Sequence, residues 1–237
     1  ITLGAFTALT VFIISYAYSR IIEHFPHGGG GYIVATHLLG DTAGVVSGSA
    51  LLVDYVMTIA ISIASCVDAV FSYLPVGFHH YKVPVASFLI VMLIVLNVRG
   101  VKESVTVLAP IFMIFVVTHI VMLSYGVFIH SDRFVPSVRD FGGSIHHDFS
   151  SIGVLGVLLL FVRAYSLGGG TYTGIEAVSN GLQIMREPRV QTGKRTMLYM
   201  ATSLAFTAGL LLLCYLLLQV TPVQGRTLNS VVADALF

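Results

Sequence analysis

Four ionisable side chains lie within long apolar stretches of this sequence, where charge is costly and is usually retained for a function. They are Asp54, Asp68, Arg163 and Glu176. An ionised carboxylate in such a stretch offers a hard oxygen ligand to a cation, whereas the protonated group is neutral and is the form that burial favours. A carboxylate that alternates between these two states can couple proton movement to cation movement.

Three consecutive glycines, Gly168–Gly170, precede Glu176 in the segment LGGGTYTGIE. Each glycine costs about 1 kcal/mol relative to alanine within a helix, so the run predicts a break in a segment otherwise long enough to span a membrane. Broken helices in transporters expose backbone carbonyls and helix ends that bind ions or substrates near the middle of the membrane. We predict a binding site at Gly169 and Gly170 of the break, with Thr173, Glu176 and Asn180 recurring at helical spacing on the second half-helix.

A second group of polar side chains follows one face of another apolar segment. Positions about four apart share a face of a helix, and the oxygen-bearing side chains recur at Asp54, Thr58, Ser62 and Ser65, with Tyr55 at the edge. Small hydroxyl side chains also let helices pack closely, which explains the serines but not the carboxylate. We therefore predict that the stripe lines a polar pathway opposite the broken helix.

Simpler explanations exist for several of these residues. Asp68 and Arg163 could pair with other charges or lie near the membrane surface. The glycine run could be a close-packing motif, with Glu176 neutralised by Arg163, although that reading leaves Thr173 unexplained. The two cysteines lie in apolar stretches and are expected to be buried thiols rather than a disulfide or a metal site.

The elements that position these residues are predicted to be membrane-spanning helices. The chain has 237 residues and is 56% hydrophobic and only 10% charged, whereas soluble proteins carry about 25% charged residues. A spanning helix needs about 20 mainly apolar residues. Six segments meet this requirement, at residues 1–19, 44–73, 83–98, 104–129, 151–185 and 196–220. Residues 221–237 predict a loop with a short surface helix.

The basic residues are unevenly distributed between the predicted loops. If the loops alternate, seven of them share one side of the membrane with four on the other, which predicts that the first set is cytoplasmic. That set comprises Arg20, Arg99, Lys102, Arg186, Arg189, Lys194 and Arg195. The net charge of +1 argues against nucleic-acid binding. The sequence also lacks the His-Glu-x-x-His and Gly-x-Ser-x-Gly patterns of metalloproteases and serine hydrolases.

Further segments resemble those of a known family. FPHGGGGY from Phe25, NVRGVKES from Asn97, and TGIEA from Thr173 followed by REP resemble the amino acid–polyamine–organocation superfamily. Within it, the stripe DYVMTIAIS from Asp54, together with TGIE, is similar to the KUP-type potassium–proton symporters. The resemblance extends over essentially the whole chain.

The resemblance implies an all-α membrane protein with a LeuT-like fold of two inverted five-helix repeats. Residues 1–237 would form one transport domain, truncated at both ends, that contains the second to seventh helices. Residues 1–129 would be the rest of the first repeat, and residues 151–237 the start of the second. The first helix, which supplies about half of the family's site, would lie outside this sequence.

The same resemblance implies proton-coupled potassium uptake by alternating access. The potassium ligands would fall on Asp54, Tyr55, Thr58, Ser62, Thr173 and Glu176, with proton coupling at Glu176. We expect a non-enzymatic, multi-pass protein of a bacterial inner membrane, without a cofactor, whose partners are the lipid bilayer, the cation and a second copy in a homodimer. Two alternatives stay open: an amino-acid or polyamine permease of the same superfamily, and an uncoupled channel or sensor.

Overall fold

The structure is a computed structural model that describes the backbone of residues 2–237. The described side chains exclude those of residues 2, 101, 138, 140, 141, 144–148 and 171–173. The elements within the described range are helical. The α-helices are α1 (Thr2–His24), α2 (Gly30–Leu39), α3 (Asp41–Phe71), α4 (Lys82–Arg99), α5 (Val101–Ile129), α6 (Phe134–Leu167), α7 (Thr173–Asn180), α8 (Arg189–Leu217) and α9 (Leu228–Leu236).

Six of the described helical segments are long and apolar enough to cross a membrane, which confirms the six predicted spans. They are Leu3–His24, Asp41–Phe71, Val76–Arg99, Lys102–Ile129, Phe149–Leu167 and Arg189–Leu217. Helix α8 begins seven residues before the predicted start at Thr196. The first two turns of α8 are polar, so a criterion based on apolar length does not detect them although they are helical.

The predicted break in the fifth span is present. Helix α6 ends at Leu167, a short 3₁₀ turn covers Gly168–Tyr172, and α7 begins at Thr173. Helix α6 also begins earlier than predicted, at Phe134, and is interrupted at Gly153, where φ is 72°. That left-handed conformation is one that glycine adopts without steric cost.

The unit formed by Ile1–Thr58 and Phe141–Gly209 has its own hydrophobic core. Side chains from α1, α7 and α8 meet there, and Ile22, Ile175 and Met197 are among those that are fully buried. Each such side chain stabilises the fold by about 1.5–3 kcal/mol. Because Ile175 is the residue before Glu176, its burial against α1 determines where the carboxylate can lie.

The second unit comprises Ile59–Asp140 and Leu210–Phe237. Its core joins Leu123 of α5, Cys214 of α8 and Val232 of α9. The helix predicted within residues 221–237 is therefore present, but Val232 is fully buried rather than lying on the surface. Cys214 is buried as predicted.

The prediction of a buried thiol is wrong at Cys66, which is exposed on α3. Other apolar residues of α3 are exposed as well, among them Ile61 and Val70, although Val67 is buried. This face of α3 is apolar because a spanning helix meets lipid or other helices, and an apolar sequence therefore does not imply burial within this chain.

Candidate functional site

Helix α7 packs against the glycine-rich turn that follows α1. A Cβ atom added to Gly31 would lie 3.6 Å from Glu176 Oε1 and 3.7 Å from the hydroxyl oxygen of Tyr18. A Cβ atom added to Gly30, where φ is +51°, would overlap the side-chain oxygen of Asn180. Glycine is thus required at Gly30, where a Cβ atom would overlap α7, whereas a Cβ atom on Gly31 would make only ordinary contacts with Glu176 and Tyr18.

The polar side chains around this turn form a cluster from three helices. The hydroxyl of Tyr18, on α1, donates a hydrogen bond to the carboxylate of Glu176 and lies near Tyr55 of α3. The side-chain amide of Asn180 donates a hydrogen bond to the hydroxyl of Tyr55. We call Tyr18, Tyr55, Glu176 and Asn180 the polar cluster. It brings a carboxylate, two phenol oxygens and an amide oxygen together.

One oxygen of the polar cluster has no partner. Asn180 Oδ1 is buried and accepts no hydrogen bond from the part of the chain that the structure describes. A buried acceptor without a donor costs about 1–3 kcal/mol. The last carbonyls of α7 lie close by, since a Cβ atom on Gly28 would be 3.2 Å from the carbonyl oxygens of both Ser179 and Asn180. This end of α7 is therefore electronegative, as helix C-termini are.

An open cleft of about 440 Å³ leads to the polar cluster. Its walls include Tyr55, Asn180 and the glycine-rich turn, and it extends to His27 and Gln183. Gln183 Nε2 donates a hydrogen bond of 2.6 Å to the backbone carbonyl of His27, which ties the segment after α7 to the end of α1. The cleft is wide enough for a small ion to reach Tyr55 and Asn180. It opens near the end of α1, on the side that the basic residues predict to be cytoplasmic.

Helix α1 holds both halves of the broken helix. It contacts α6 through a hydrogen bond between the hydroxyls of Thr10 and Tyr165, and through Phe6 and Phe161, whose ring centroids are 5.5 Å apart. It contacts α7 through Tyr18, two turns further along. The glycine break therefore lies beside the middle of α1.

None of the described atoms lies close enough to the break to require glycine there. Added Cβ atoms at Gly168, Gly169 and Gly170 would meet no described atom within 4 Å. Arg163 is exposed, and none of the ion pairs found among the described side chains joins it to Glu176. The close-packing explanation of the glycine run thus finds no support in this fold.

The predicted ligands are only partly brought together. Tyr55 and Glu176 belong to the polar cluster, and Thr58 is half-buried one turn along α3. Asp54 and Ser62 are exposed, so the edge of the predicted stripe faces α7 whereas its centre does not. Adjacent residues point about 100° apart around a helix, and the packing of α3 decided which of them turns towards α7.

The remaining predicted residues lie in or after the break and on α3. Gly169 and Gly170 lie in the 3₁₀ turn. Thr173 is the first residue of α7, but its side chain lies outside the described residues. The simpler explanation of Asp68 is confirmed, because its Oδ1 is 2.6 Å from Lys82 Nζ in an ion pair.

Two residues of the polar cluster were not predicted as ligands. Asn180 follows Glu176 by four residues, and that helical spacing is a signal from which it could have been selected. Tyr18 lies in a different span, and no local pattern distinguishes it from Tyr16, so only the fold reveals its contact with Glu176.

Six apolar spans, a helix broken beside a buried seam and a carboxylate-containing oxygen cluster define a helical membrane transporter. The amino acid permease family matches residues 3–231, and the chain belongs to that family. This confirms the predicted superfamily and the all-α LeuT-like fold class. The chain is 36% identical over 217 residues to the potassium transporter KimA of Bacillus subtilis (strain 168). That similarity covers 91% of this chain and 34% of its relative, so the chain spans about a third of that protein's length.

Proposed function

We propose that this protein is a secondary active transporter that takes up potassium together with protons by alternating access. The observation that carries the proposal is the convergence of the Glu176 carboxylate with Tyr18 and Tyr55 beside a broken helix. The similarity to a protein named as a potassium transporter supports the choice of cation. The glycine break supports a site of the kind that transporters build from interrupted helices.

The oxygen chemistry suits a monovalent alkali cation. One carboxylate balances one positive charge, while neutral hydroxyl and carbonyl oxygens replace the water around the ion. We propose that potassium is held by Glu176 and Tyr55, by Thr173, and by backbone carbonyls around Gly169 and Gly170. Asp54, Thr58 and Ser62 are proposed as further ligands on the α3 side, where they would meet the ion along its path.

Proton coupling would take place at Glu176. When ionised, the carboxylate accepts the hydrogen bond from Tyr18 and attracts the cation. When it takes up a proton its charge is lost, so the attraction for potassium falls and the ion can leave.

The proposed membrane is the inner membrane of a bacterial cell, with the turn after α1 and the start of α8 on the cytoplasmic side. The relative in Bacillus subtilis and the distribution of basic residues support this placement. We also propose that the protein acts as a homodimer.

Potassium uptake into proteoliposomes that contain the complete protein tests the proposal. An inward proton gradient should accelerate uptake, and Glu176→Gln should reduce the gradient-driven part at least tenfold. Glu187→Gln is the matched control, because Glu187 is an exposed carboxylate that pairs with Arg189 outside the spans. It should leave uptake unchanged.

The same assay separates the alternatives. A carboxylate would also bind the ammonium group of an amino acid or a polyamine, and the family match favours this second candidate. Inhibition of potassium uptake by millimolar amino acids or polyamines would support a permease. Full gradient-driven uptake by Glu176→Gln would contradict the role of Glu176, and uptake that ignores the proton gradient would indicate a channel.

A further inference from the structure

A groove of about 430 Å³ runs between α1 and α8, away from the polar cluster. It is lined by Phe12, Ser15, Tyr16, Ser19, Lys194, Arg195 and Leu198. The two helices are antiparallel here, because the end of α1 meets the beginning of α8: Ser19 Oγ is 3.6 Å from Met197 Sδ. The charged residues of the groove thus lie at one end and the apolar residues at the other.

The charged end of the groove has a net positive charge. Glu23 is paired with both Arg20, at 2.7 Å, and Lys194. One carboxylate is therefore shared between two cations, and Arg195 is exposed beside them. No ion pair of Arg195 occurs among the described side chains. Both spans end at this level, where the surface of the membrane is expected.

The apolar end of the groove reaches the depth of the hydrocarbon. Phe12 precedes Ser19 by seven residues, which corresponds to about 10 Å along a helix. The side chains of Phe12 and Leu198 are 41% and 54% exposed, so the wall they form is open. A groove with cations at the membrane surface and apolar walls beneath them matches a phospholipid, whose phosphate lies above its acyl chains.

The groove is distinct from the polar cluster. On α1, the lining residues face on average about a third of a turn away from Tyr18, which is directed at Glu176. On α8, Met197 and Ala201 are fully buried in the seam with α7, whereas Leu198 and Arg195 lie beside that seam. A ligand in the groove would touch the outer flank of the α1–α8 pair and leave the path to Glu176 free.

We infer that this groove is a binding site for one anionic phospholipid. Its phosphate contacts Arg195 and Lys194, and one acyl chain lies along Phe12, Tyr16 and Leu198. The apolar walls select a lipid over a free phosphate ion, because only a lipid gains from their burial. Each basic residue near a membrane surface contributes about 1 kcal/mol to attraction of anionic lipid, which corresponds to about fivefold in affinity.

Native mass spectrometry of the complete protein in mild detergent, titrated with dioleoyl phosphatidylglycerol, tests this inference. One lipid should bind more tightly than the rest. Arg195→Gln should weaken that lipid about fivefold, and Arg195→Lys should restore most of the affinity. Arg186→Gln is the control, since Arg186 belongs to the same basic segment, is exposed and does not line the groove.

Two further probes identify which part of the lipid is recognised. Dioleoyl phosphatidylcholine should bind more weakly than phosphatidylglycerol, and glycerol phosphate at equal concentration should not displace the bound lipid. The inference is overturned if Arg195→Gln and Arg186→Gln weaken binding equally, if glycerol phosphate competes as well as the lipid, or if no single lipid is retained. Size-exclusion profiles show whether the variants remain folded.

Discussion

Replacing Tyr18 by phenylalanine tests whether the contact between α1 and α7 sets the affinity of the proposed ion site for potassium. The substitution removes the hydroxyl that donates a hydrogen bond to Glu176 and keeps the ring that packs in the core. That hydrogen bond holds the carboxylate in place within the polar cluster. Its loss should therefore weaken potassium binding, because the carboxylate is no longer fixed towards the ion.

The size of the effect follows from the kind of hydrogen bond. A hydrogen bond to a charged group contributes about 1.5–3 kcal/mol, and about 1.4 kcal/mol corresponds to a factor of ten. Because Glu176 is only half-buried, water replaces part of the lost contact and the lower end applies. We expect the potassium concentration for half-maximal uptake to rise about tenfold near pH 7.

The assay is potassium uptake into proteoliposomes over a series of pH values, with equal amounts of reconstituted protein. Tyr16→Phe is the matched control, since Tyr16 is on the same helix but is 70% exposed and does not belong to the polar cluster. Equal uptake by Tyr18→Phe and Tyr16→Phe at every pH would refute the role of the hydroxyl.

Two further predictions concern stability. Gly30→Ala should lower the thermal midpoint of the purified protein, because the new Cβ atom overlaps Asn180 Oδ1 and the positive φ costs about 1–2 kcal/mol. The control is Gly168→Ala, whose new Cβ atom meets open space and which should leave the midpoint unchanged or raise it. Equal midpoints for the two variants would contradict the packing of the turn on α7. At the other end of the chain, the hydrogen bond from Arg226 holds the pKa of Asp234 below its usual value. That contribution is present at neutral pH and is lost as the pH falls below about 4. The protection of the α9 amides from hydrogen exchange, relative to their intrinsic rates at each pH, should therefore fall in acid, and in Asp234→Asn it should already be low at neutral pH.

Much of the secondary structure could be predicted because it depends on consecutive residues. The six spans follow from apolar length, and the break follows from three glycines that favour no helix. The errors arise where local composition and structure differ. The polar start of α8 is helical without being apolar, and Cys66 is exposed although its sequence neighbours are apolar.

The candidate site contains both residues that the sequence predicts and residues that only the packing of the helices identifies. Glu176 stood out because a carboxylate after a glycine run in an apolar segment is unusual in any fold. Its neighbours Tyr18 and Tyr55 are brought to it from other helices, and their faces are determined by which side chains the core of α1, α7 and α8 buries. The exposure of Asp54 has the same origin, since residues adjacent on a helix point in different directions and only packing selects between them.

Sequence alone therefore established a membrane protein of six spans, a broken helix and a carboxylate suited to ion and proton binding. These properties reside in the composition and spacing of neighbouring residues. The tertiary structure decided that Tyr18 rather than Tyr16 meets Glu176, that the glycine-rich turn accommodates Asn180, and that basic and apolar residues of α1 and α8 share a groove. Those contacts join residues far apart in the chain, and they exist only because helix packing places them together.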